Sequence, residues 1–134
     1  MTIQKTSFSL DDLIAEDSEE EALARQQIER QLEITLVRQW FESLPDGSIV
    51  GIAGYGCGCP IANYLAAVST NPALSFWIEP DFTSVNEKGY QFICVRHPAW
   101  IATFIFKIDC LGSLSEITKE AALSLLDQIK KGNP

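Results

Sequence analysis

The chain predicts an α+β fold, with a small sheet of about three strands packed against a long N-terminal helix, a short helix after Cys59 and a C-terminal helical pair. Three observations carry that prediction. Ile28, Leu32, Leu36 and Trp40 recur at helical period. Leu74–Ile78 and Tyr90–Val95 are short β-branched and aromatic runs bounded by turn residues. Last, Thr118 opens an amphipathic stretch toward a C-terminal glycine, Gly132. The 134 residues, 46% of them hydrophobic and 10% aromatic, match one ordinary globular domain.

Residues 1–9 are expected to be a flexible tail and residues 10–134 a single domain. Ser9-Leu-Asp-Asp12 and Ser18-Glu-Glu-Glu21 each place an acid three residues after a cap residue. The first introduces a short helix over Leu10–Glu16. The second opens a continuous helix over Glu19–Ser43. Its charged first half is expected to project into solvent or toward a partner, and its apolar second half to pack on the core. Pro45-Asp46-Gly47 turns the chain. Ser48–Ala53 then reads as a buried strand, and Pro60–Ser69 as a helix with proline in its first turn.

Strands over Leu74–Ile78 and Tyr90–Val95 follow, separated by Pro80 and an Asn86–Gly89 turn. Between Pro98 and Asp109 the pattern is ambiguous. Trp100, Ala102, Phe104, Phe106 and Ile108 alternate as in a strand, whereas Trp100, Ile101, Phe104, Ile105 and Ile108 share a helix face. Length and the leading proline decide for helix. Gly112 ends it. The last helix runs from the Thr118 cap to near Lys131, with Leu114, Ile117, Ala121, Leu125 and Ile129 on its buried side.

Charge narrows the partner classes. The net charge is −8, and ten acids against four bases leave −6 of it in residues 1–43. No clustered basic face is available to neutralise phosphates, so neither nucleic acid nor an anionic membrane is an expected partner. No apolar run approaches the roughly 18 residues of a membrane span, and the N-terminus lacks a signal-peptide pattern. A cytoplasmic location follows, with Cys57, Cys59, Cys94 and Cys110 as reduced thiols.

The densest local pattern is Gly51-Ile-Ala-Gly54-Tyr-Gly56-Cys57-Gly58-Cys59-Pro60, where a strand gives way to a helix. A cysteine there faces the positive end of a helix dipole, which favours a thiolate. Cys59 as nucleophile, His97 as base and Asp109 as orienting carboxylate would form a hydrolase or transferase site. This order loosely resembles that of papain-like and cell-wall-peptidase-like hydrolases, without either family's local signature. Pro60 also removes one N–H that would otherwise face the thiolate. Cys57, Cys59, Cys94 and His97 together have the donor chemistry of a structural zinc site, although C-x-C is tighter than the usual ligand spacing.

Other site chemistries lack their residues. The glycines fit neither a dinucleotide fingerprint nor a P-loop, and no lysine or arginine falls between Arg38 and Lys88. A calcium loop after Asp109 lacks its alternating ligands and its bidentate glutamate. Glu79 and Asp81 flank Pro80 as ordinary loop acids. No cofactor is expected. The remaining reading is a non-enzymatic interaction or regulatory module with a protein partner or a self-association surface. The acidic stretch Glu19–Glu21 would suit a basic partner, and the aromatics are read as core.

Overall fold

The computed structural model describes residues 18–130; the expected tail, the Leu10–Glu16 helix and the chain end near Lys131 lie outside them. The described chain is α+β, in the order α1 (Glu19–Gln31), α2 (Ile34–Ser43), β1 (Ile49–Ile52), α3 (Pro60–Val68), β2 (Leu74–Ile78), β3 (Phe82–Glu87), β4 (Tyr90–Arg96), α4 (Ala99–Asp109), β5 (Glu116–Thr118) and α5 (Lys119–Lys130). Strands β2, β3 and β4 form an antiparallel meander, and β1 pairs antiparallel with β5 in a separate two-stranded sheet.

The N-terminal cap works as its residues dictate. Ser18 Oγ accepts from the Glu21 N–H at 3.2 Å, and Glu21 Oε1 accepts from the Ser18 N–H at 2.9 Å, a reciprocal capping box. The expected single helix over Glu19–Ser43 is nonetheless interrupted after Gln31. Two tertiary donors explain the break. Tyr64 Oη donates to the Gln31 carbonyl at 2.6 Å, and Trp100 Nε1 donates to the Leu32 carbonyl at 3.0 Å. Carbonyls satisfied from outside need no continuing helical ladder. Glu33 restarts the chain in an extended conformation as the cap of α2.

The first half of that segment does not project away. Helix α1 packs on β4, burying Ile28 and Arg25, and the Arg25 guanidinium donates to the Cys94 carbonyl. A buried arginine needs such acceptors, because an unpartnered charge is costly inside a protein.

The three-stranded sheet contains a strand that composition hides. Thr83, Ser84 and Asn86 dilute β3, yet it is the central strand, with Val85 opposite Phe76 on one side and Ile93 on the other. Lys88 and Gly89 close the β3–β4 hairpin with φ of 53° and 87°, as a two-residue type I′ turn requires. The Pro98–Asp109 segment is helical, as its length argues, with Ile101, Phe104 and Ile108 buried along one stripe.

Leu114 and Ile117 fall outside the last helix, where the sequence placed them. Leu114 lies exposed in a turn at φ 61°, and Ile117 is the buried centre of β5. Thr118 Oγ1 still caps α5 by accepting from the Ala121 N–H at 3.1 Å. The core collects Phe41, Tyr64, Leu65, Val85, Phe104 and Leu126 where helices and sheets converge, with Phe41 and Phe104 stacked at 6.3 Å between ring centroids.

Candidate functional site

The glycine-rich segment forms a tight loop tied down at most of its length. Gly58 N–H donates to Tyr55 O, Ile52 N–H to Gly58 O and Ile78 N–H to Gly56 O, each at 2.9 Å. Asn63 Nδ2 reaches back from α3 to the Val50 carbonyl at 2.9 Å. The Gly54 N–H donates to Asp109 Oδ1 at 3.0 Å, so an acidic side chain occupies the position a bound anion would take.

The glycines serve close packing of two aromatic rings. A Cβ on Gly56 would lie 2.6 Å from Cε2 of Trp77, and one on Gly58 would lie 2.5 Å from Cδ2 of Tyr55. The two rings lie 6.4 Å apart between centroids, tilted by 55°, and remain 47% (Tyr55) and 43% (Trp77) exposed. Trp77 Nε1 donates to Glu79 Oε1 at 2.7 Å. Both rings line a cavity of about 240 Å³ together with residues that include Cys59, Glu79, Ile105 and Asp109. Its lining contains two carboxylates and no basic side chain.

Cys59 occupies the cap position of α3, as the sequence indicated. The N–H groups of Ile61 and Ala62 face its thiol and favour the thiolate, but they do not reach hydrogen-bond geometry. Desolvation dominates: burial, with smaller contributions from the Asp109 and Cys57 charges, raises the thiol to about 11. Cys57 is exposed two residues earlier, and its proximity raises the Tyr55 phenol above its ordinary value.

His97 stands elsewhere. Its Nε2 lies 2.6 Å from Oγ1 of the fully buried Thr83, for which it is the hydroxyl's partner. Nδ1 is buried and faces the Pro80 carbonyl without reaching hydrogen-bond geometry. Burial lowers the ring to about 4, against the opposing influence of Pro80 and Asp81, so it is neutral at pH 7. It lines a cavity of about 610 Å³ at the α1–α2 junction together with Glu29, Glu33, Arg96 and Trp100. Cys59 does not line that cavity, and His97 does not line the one beside Cys59.

Of the three residues of the hydrolase reading, the structure therefore gathers Cys59 and Asp109 at one cavity and places His97 at another, with no hydrogen bond between Cys59 and His97 among the described residues. The four zinc-ligand candidates are likewise dispersed. Cys57 is in the exposed loop, Cys59 is under α3, Cys94 is buried in β4 beside Gln91 and Arg25, and His97 is at Thr83. Among the described residues no three His, Cys, Asp or Glu side chains are gathered closely enough to hold a metal ion.

Tyr55, Trp77 and Glu79 were not singled out as a site by the sequence. The signal was present in the period of β2, where alternation turns Phe76 and Ile78 inward and Trp77 outward. No family model, curated protein or solved structure matches this chain. No helix among the described residues is long and apolar enough to cross a membrane.

Proposed function

We propose that this chain is a non-enzymatic cytoplasmic protein-interaction module whose working surface is the aromatic and acidic cavity at the glycine loop. The observation that carries this reading is the exposure of Tyr55 on the glycine loop and of Trp77 on β2, both rings packed against glycines of that loop. Exposed aromatic side chains are the typical anchors of protein interfaces. The same region supports nucleophilic catalysis poorly. A thiol raised to about 11 is almost entirely protonated at neutral pH, and the one histidine serves Thr83.

Thiol labelling, read by peptide mapping across pH, separates the module from a cysteine enzyme. The module predicts that Cys57 and Cys110 alkylate while Cys59 stays protected below about pH 9. Rapid labelling of Cys59 below pH 8 would overturn it. Affinity capture with the native chain and with Trp77→Ala tests the surface directly, since a partner held through the loop is lost with the ring.

A further inference from the structure

We infer that the Tyr55–Trp77 cavity is a receptor for a single cationic side chain, a lysine ammonium or arginine guanidinium presented by a basic segment of a protein partner. The inference deepens the proposed module and rests on it.

Ring geometry makes the first argument. An aromatic face attracts a cation within about 6 Å of its centroid, and tryptophan is the strongest such face. Tyr55 and Trp77, 6.4 Å apart between centroids and tilted by 55°, form an open V. A group seated in its mouth lies within that reach of both rings. Tyr55 is a neutral phenol at physiological pH, and the neighbouring Cys57 raises its pKa further.

Charge makes the second. Glu79 and Asp109 line the same cavity, and each spends one oxygen locally: Oε1 of Glu79 accepts from Trp77, and Oδ1 of Asp109 accepts from Gly54. Their other oxygens, Oε2 and Oδ2, have no partner among the described residues and serve as acceptors for a cation's N–H groups. The carboxylates are thus fixed in place by the loop and by the ring they accompany. No lysine or arginine of the cavity lining competes for them.

Size makes the third. A cavity of about 240 Å³ is below the range of about 300–1,000 Å³ typical of drug-sized ligands, and suits one side chain rather than a cofactor. The net charge of −8 draws a basic segment toward the molecule, while the cavity decides where it docks.

The probe is an acetylated, amidated hexapeptide alternating lysine and arginine, with a hexaglutamine peptide as control, titrated calorimetrically into the full chain at low and high salt. Saturable binding of the basic peptide alone is expected. The double variant Glu79→Gln with Asp109→Asn keeps both local acceptor oxygens and removes two charges; it should weaken binding at least tenfold. Glu19→Gln with Glu20→Gln removes the same charge from the start of α1 and should change binding less than twofold. Trp77→Leu, checked for folding by circular dichroism, should weaken binding at least fivefold.

Equal weakening by the two double variants would overturn the inference in favour of diffuse attraction to an acidic protein. Absence of peptide binding would overturn it as well. If Trp77-dependent partner capture survives that result, the ligand class fails and the module stands. Reactive Cys59 would instead remove the module reading itself, whatever the peptide does.

Discussion

Asp109, in the last turn of α4, accepts a hydrogen bond from the Gly54 N–H at 3.0 Å, across 55 residues of sequence. That one bond joins the C-terminal helical layer to the glycine loop. The carboxylate also faces Cys59 closely enough to raise the thiol further above its ordinary value. Tertiary packing has therefore brought together two members of the arrangement the sequence suggested, and given them an opposite electrostatic relation. A carboxylate acting through a histidine would favour the thiolate, whereas one facing the thiol directly disfavours it.

Two substitutions at this position separate its roles. Asp109→Asn keeps an oxygen acceptor for Gly54 and removes the charge; Asp109→Ala removes both. Only the alanine variant should lose stability, by about 1 kcal/mol in a denaturant titration. Both should lower the pH at which Cys59 alkylates, while burial keeps the thiol above its ordinary value.

Glycine replacements should divide by what the new Cβ would meet. At Gly51 it meets the Pro60 nitrogen and ring and the Cys59 carbonyl carbon, where β1 passes the start of α3. Backbone cannot step aside there, so Gly51→Ala should cost about 3 kcal/mol. At Gly56 the obstacle is the half-exposed Trp77 ring, which can swing outward. Gly56→Ala should cost only about 1 kcal/mol, with a red shift of tryptophan emission that Trp77→Phe abolishes. Equal costs at the two positions would mean that the Trp77 ring is held as firmly as the backbone that Gly51 meets.

Much of the architecture was legible because it depends on local rules. The capping box at Ser18, proline in the first turn of α3, the Thr118 cap and the apolar runs of β2 and β4 each encode their element within a few residues. What escaped depends on distant atoms. The stop at Gln31 is supplied by Tyr64 and Trp100, 33 and 68 residues away from the carbonyls they reach. Strand β3 is polar enough to resemble a loop and is held by two flanking neighbours. Strand β5 is three residues long and pairs only with β1. For the site, the glycine cluster was visible, but the rings it seats were not, because Trp77 meets Gly56 only after β2 has paired and turned it outward.

Lys119 is a buried cation whose role is structural. Its Nζ donates to the Leu44 carbonyl at 2.7 Å and the Glu42 carbonyl at 3.3 Å, and pairs with Asp46 at 3.2 Å. It thereby satisfies carbonyls at the end of α2, where the helix has exhausted its own donors. Lys119→Met preserves bulk and removes these donors, and should lower stability by about 2 kcal/mol. Asp46→Ala should lose much less, because Asp46 is almost fully exposed and the surface pair is screened.

Acid should test His97 most directly. Its native value of about 4 lies below the ordinary 6.5, so the unfolded chain takes up the proton first as pH falls. The stability held by the neutral ring is present above 6.5 and is lost progressively as pH drops toward 4. Between pH 7.5 and pH 5 this loss amounts to about 2 kcal/mol. The ring's surroundings set that sign: Thr83 holds Nε2, burial penalises the imidazolium, and Asp81 offsets only part of the penalty. His97→Gln retains a side-chain partner for the Thr83 hydroxyl but cannot titrate. Urea titrations of both proteins at the two pH values should show the wild type losing about 2 kcal/mol more than the variant. Parallel losses would place the acid sensitivity on carboxylates and return His97 to an ordinary solvated ring.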